Sequence, residues 1–167
     1  MEKLEITLLK NLIHNDEYAR KVIPFIKLEY FEMRSEMILC QEIIDFIAKY
    51  NKCPTQEIID IEIQNRDDLT ETEYKEVREI NQTLDKVETN TEWLVDATEK
   101  WCRDRAIYLA LMSSIKIADG QDNNKGRDAI PHILSDALAV SFDNHVGHDY
   151  LEDYEARYES YHKKEEK

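Results

Sequence analysis

Two histidines three residues apart, His145 and His148, stand beside an aspartate, Asp149, in the stretch "SFDNHVGHDYLEDYEARY" (141–158). Imidazole and carboxylate at this spacing are the beginnings of a metal site. A structural zinc centre needs four ligands, however, and the remaining histidines are scattered singly. Cys40, Cys53 and Cys102 are widely spaced and form no C-x-x-C pair. They read as reduced thiols, with Cys40 and Cys102 half-buried on helices. The same stretch also reads as a joint: Phe142 closes one helix, Gly147 breaks the chain, and Asp149 lies where its charge suits the start of another helix.

Other chemistry is poorly supplied. Gly120 and Gly126 are too far apart for a phosphate loop, and Arg127 follows the second where Lys-Ser/Thr would be needed. Neither a G-x-S-x-G elbow nor an H-E-x-x-H helix is present. Asp plus Glu number 36 against 22 Lys plus Arg, a net charge of −14. Such a surface repels phosphate backbones and anionic membranes and suits a basic partner or simple solubility. No run of residues approaches a membrane span, and the amino-terminal "MEKLEITLLKNLIHN" interrupts its apolar residues with charge, unlike a signal peptide. The chain alone is therefore expected to be no enzyme and to hold no cofactor.

The elements that would position any site are helical. With 3 Gly and 3 Pro in 167 residues, where average usage gives roughly a dozen Gly, tight turns are scarce. Hydrophobic residues at 42% and charged ones at 35% fit a folded protein with a wet surface. Leu4, Leu8, Leu9, Leu12 and Ile13 predict a helix over 2–14, and a second spans 15–26 with Pro24 ending or kinking it. Ser35 is the expected N-cap of the next, with Cys40, Ile43, Ile44, Ile47 and Tyr50 as its buried stripe. Ile59, Ile61 and Ile63 alternate as in a strand, but no partner strand offers itself, so 55–65 reads as helix. Thr70 and Glu73 form a capping box ahead of Tyr74, Val77, Ile80, Leu84 and Val87.

The pattern then changes to heptads. Leu94, Trp101, Tyr108 and Ile115 recur every seven residues, with Ala97, Asp104, Leu111 and Ala118 as the second seam of one helix over about 91–119. "DGQDNNKGRD" is a turn. Asp128 is the expected cap of a helix running to about 143, with Pro131 tolerated in its first turn and Ile130, Ile133, Leu134, Ala137, Val140 and Ser141 as its face. The expectation is an all-α chain: a helical head over 1–88, an antiparallel helical hairpin over 91–143, and a joint and linker helix over 144–167. That last helix sets Tyr150, Tyr154, Tyr158 and Tyr161 on one face, beside Leu151, and so calls for a surface outside itself.

These residues resemble a known family. "SFDNHVGHDYLEDYEARY" is similar to the segment joining the two halves of the replicative DNA helicases of T-even-type phages, members of the DnaB-like family. Shorter blocks match upstream in order: "EYFE" (29–32), "TETEY" (70–74), "WLV" and "TEK" (93–95, 98–100), "RDRA" (103–106) and "AIP" (129–131). The resemblance implies an N-terminal collar domain of a hexameric ring, in which hairpins pair between subunits and a linker helix docks on the neighbouring subunit's RecA-like motor. It also implies docking of primase. On this reading Leu94, Trp101, Tyr108, Leu111, Ile115, Ile133, Ala137 and Val140 serve subunit assembly. His148, Tyr150, Leu151, Tyr154, Tyr158 and Tyr161 serve linker docking. No segment matches the motor, so ATP, Mg2+ and single-stranded DNA are expected to belong to a motor domain outside this sequence, the chain being a piece of a helicase that works in the cytoplasm of an infected bacterial host. The rival expectations are an acidic all-α adaptor or DNA mimic that binds a basic protein, and a metal-dependent enzyme around His145 and His148.

Overall fold

In the computed structural model, residues 2–142 are described, and among them every regular element is helical. Helix α1 (Leu4–His14) buries Leu8, Leu9, Leu12 and Ile13 on the stripe its sequence spacing predicts. Asn15 then serves two helices at once: its backbone N–H donates to the Asn11 carbonyl, closing α1, while its side chain accepts from the Tyr18 N–H and caps α2 (Asp16–Val22). Pro24 acts as expected, since α2 stops at Val22 and the proline sits in the 3-10 turn Ile23–Phe25.

Helix α3 (Arg34–Tyr50) runs through the centre of the head, with Leu39, Cys40 and Ile43 fully buried. Its start departs from expectation. Extended Met33 holds the cap position, and Ser35 lies inside the helix with its hydroxyl buried and unpartnered. The first turn is held instead by ion pairs: Lys3 reaches the buried Glu36 carboxylate at 2.8 Å, and Arg34 pairs with Glu73. Tyr50 also departs, being exposed, with its ring 4.6 Å from that of Phe46 one turn back, because the last turn of α3 outruns the core. Asn51 ends the helix in the left-handed region at φ 56°, a conformation asparagine tolerates better than most residues.

The ambiguous isoleucine run is helix α4 (Gln56–Gln64), capped by the Thr55 hydroxyl. Ile59 and Ile63 are buried while Ile61 is exposed, a period of four rather than two. Helix α5 (Glu71–Gln82) opens with the expected capping box, the Thr70 hydroxyl accepting from Glu73 N–H at 3.1 Å and Glu73 accepting from Thr70 N–H at 3.0 Å. Asn81 fastens α5 to α4, donating to the Gln56 carbonyl and the Asp60 carboxylate. Because α5 ends at Gln82, Leu84 enters the core from the following loop and Val87 is exposed, so these two are not part of the helical stripe.

Helix α6 (Thr91–Ala118) starts on the Asn90 side chain, which accepts from Trp93 N–H. Its first half is built into the head: Leu94, Thr98, Trp101 and Cys102 are buried. The Tyr18 and Thr98 hydroxyls are 2.6 Å apart, and Trp101 meets Tyr30 edge-on with Phe31 tilted against it. The second half projects. Gly120 at φ 75° closes it, with Gln121 N–H donating back to the Lys116 carbonyl and the Arg127 side chain to that of Ala118.

Helix α7 (Ile130–Leu138) lies back along α6 and carries Pro131 in its first turn. Two expectations fail here. Asp128 does not cap it, because a 3-10 turn (Arg127–Ala129) leads in and supplies the first backbone bond, Ala129 N–H to Gly126 carbonyl. Nor does the helix reach 143; it closes on Ala139, and Phe142 packs beyond its end.

Removing a fully buried α1 side chain should cost far more than removing a cap. We expect Leu12→Ala to lose about 2–5 kcal/mol and Thr70→Ala about 1 kcal/mol, as read from urea midpoints at unchanged slope.

Candidate assembly surface

A helix turning 100° per residue brings Tyr108, Leu111, Met112 and Ile115 of α6 within an arc of about 100°. All four are exposed, Tyr108 by 51% and Ile115 by 54%. The first heptad seam is thus divided. Its upper members, Leu94 and Trp101, are buried in the head, whereas Tyr108 and Ile115 carry the same line onto open surface. Asp104 is exposed between the two regimes. Beside it, the Arg105 guanidinium lies 4.9 Å from the Tyr108 ring centre, donates to the Tyr30 carbonyl and pairs with Glu32, which fixes the head end of the stripe.

The opposite side of α6 receives α7. Ala137 is buried there, and Ile133 and Val140 are half-buried among Ala106, Leu109 and Ala110. Small residues at 106, 110 and 137 let the two helices approach closely. A cleft of about 380 Å³ remains where Lys27 and Tyr30 of the head meet this pair. The eight residues expected to serve assembly therefore fall into three settings: Leu94 and Trp101 in the head core, Ile133, Ala137 and Val140 between α6 and α7, and Tyr108, Leu111 and Ile115 on the surface. Met112 joins the exposed group although it is off the strict heptad; the helical arc, rather than the seven-residue repeat, is the signal that finds it. His145, His148, Tyr150, Leu151, Tyr154, Tyr158 and Tyr161 lie outside the described residues. Among the described residues no three histidine, cysteine or acidic side chains are grouped as a metal site would require, and no helix is long and apolar enough to cross a membrane.

The cysteines are more deeply placed than expected. Cys40 and Cys102 are wholly buried, and burial pushes each thiol up to about 12; Cys53, half-buried and beside the Asp16 carboxylate, is pushed up to about 11.

No family model matches the chain. The chain is, however, 35% identical over 162 residues to the DnaB-like replicative helicase of Enterobacteria phage T4, a match covering 92% of this chain. The similarity read from the short blocks thus extends along nearly the whole sequence. The chain spans 34% of that helicase's length, a share consistent with one domain of it.

Burial pushes the phenol of Tyr30 up to about 12 as well, and that of Tyr18 higher still. All five groups are neutral in both states at pH 7. Above the ordinary thiol value of 9.0 and phenol value of 10.0 the unfolded chain ionises while the folded one holds its protons. Between pH 7 and about pH 9 these groups should leave stability level, and above that it should fall steeply toward pH 12; urea titrations across that range check it. At pH 8, a thiol reagent should label Cys40 and Cys102 only after unfolding.

Proposed function

We propose that this chain is the N-terminal collar part of a DnaB-like phage replicative helicase, and that it serves ring assembly and primase docking. The observation that carries the reading is the 35% identity sustained over 92% of the chain. The apolar stripe of Tyr108, Leu111, Met112 and Ile115 supports it independently, since an amphipathic helix with one face on α7 and another left open suits a neighbouring copy. In the parent enzyme, ATP, Mg2+ and single-stranded DNA belong to the motor domain. His148, Tyr150, Leu151, Tyr154, Tyr158 and Tyr161 dock on the motor of the adjacent subunit, in the cytoplasm of the infected cell.

The net charge of −14 favours a second reading, an acidic adaptor that binds a basic protein. The two differ in what the stripe does. A collar uses its apolar face, and its self-association withstands salt. An adaptor uses its carboxylates, and its binding falls away as ionic strength rises.

We expect the purified chain to self-associate as its concentration rises toward millimolar in light scattering. The double variant Leu111→Asp with Ile115→Asp should stay monomeric while its unfolding free energy changes by no more than about 0.5 kcal/mol per substitution, as for exposed sites generally. A wild-type chain that remains monomeric at these concentrations would refute the assembly role. Sedimentation with the primase of the same phage tests the docking role separately.

A further inference from the structure

At the far end of the α6–α7 pair, away from the open stripe, residues 140–142 return to the head. Glu99, one turn before Arg103 on α6, turns its carboxylate toward them. Its Oε2 accepts from the Phe142 backbone N–H at 2.6 Å and from the Ser141 hydroxyl at 3.2 Å. The Arg103 side chain donates from Nε to the Val140 carbonyl at 2.9 Å and lies 3.9 Å from the same Glu99 oxygen. The Phe142 ring stacks on Phe25 of the head at 4.3 Å. Three successive residues are thus held by one acid, one base and one aromatic ring.

Their sequence setting makes this hold informative. Helix α7 has already closed at Ala139, and past the Val140 N–H, which still donates to the Ala137 carbonyl, no backbone bond of the helix holds Ser141 or Phe142. Backbone groups beyond a helix end ordinarily turn to water. Here they meet an ionised acceptor and a guanidinium, both more strongly bound partners than neutral groups. Phe25 belongs to the 3-10 turn set by Pro24, and Glu99 and Arg103 to the buried half of α6. The segment is therefore referred to the head, not merely to its own hairpin.

We propose that Glu99, Arg103 and Phe25 form a latch that clamps the end of the α7 segment onto the head. The latch fixes where residues 140–142 sit on the head. Closed, it makes head, α6 and α7 one mechanical unit. Open, it frees residues 140–142 from the head while the buried core of α1 to α3, to which they add only partly buried contacts, stays folded. Glu99 and Arg103 are positioning residues.

Hydrogen exchange followed by NMR on the full chain tests it. The Phe142 amide should be protected in the wild type. In Glu99→Ala it should exchange at least about tenfold faster, the loss expected for a charged acceptor, while the amides of Leu39 and Ile43 in α3 keep their rates. Glu99→Gln retains a carbonyl acceptor and should give an intermediate rate, and Phe142→Ala, which keeps the amide but loses the stack on Phe25, should speed exchange at residue 142 with the head again unaffected. A Phe142 amide exchanging freely in the wild type would overturn the latch, as would one indifferent to Glu99→Ala. Equal acceleration of Leu39 and Ile43 would also overturn it, by making Glu99 a general support of the fold.

Discussion

A helix of 28 residues can leave a small domain in a defined direction only if one end is held, and the hold here is the burial of Leu94, Thr98, Trp101 and Cys102. Thr98 is the polar centre of that contact. Its hydroxyl bonds the Leu94 carbonyl within α6 and lies 2.6 Å from the Tyr18 hydroxyl across the interface with α2. A buried pair of hydroxyls is tolerable only when both are satisfied, and it is directional where apolar contacts are not. Trp101, between Tyr30 and Phe31, fixes the roll of the helix about its own axis. That roll decides which face of the projecting half looks outward.

The division of labour along one heptad line follows from this. Leu94 and Trp101 use the seam for folding; Tyr108 and Ile115 carry the same seam away from the head, where nothing in the described chain covers it. The head consumes the first two repeats because it needs apolar volume from α6 to complete a core made of short helices. Helix α7 takes the other side with small residues. Folding and association are thus separated by position along a helix rather than by different sequence patterns.

Much of this was legible in the sequence, and the failures share a cause. The all-helical class, the reach of α6, the capping box at Thr70 and the helical reading of Ile59–Ile63 depend on local chemistry, which the sequence carries directly. Ser35 and Asp128 are good caps in isolation, yet Lys3 with Glu36, Arg34 with Glu73, and a 3-10 lead-in took over those helix starts. Tyr50 and Val87 continue an apolar pattern past the edge of the core, something a pattern alone does not mark. Of the assembly residues, periodicity identified the line but not where the head would stop covering it. Glu99 gave no signal of this contact, because the Ser141 hydroxyl and Phe142 N–H that it accepts from lie more than forty residues away.

The projecting half of α6 also has a mechanical meaning. From Trp101 to Ala118 the helix runs about 26 Å at 1.5 Å per residue, and α7, with nine residues, lies along part of it. A tilt of about 10° at the tryptophan would sweep the tip through about 4–5 Å, close to one helical turn. Small repacking among Tyr30, Phe31 and Trp101 would thereby be geared up into a displacement large enough to change which side chains meet at the far end.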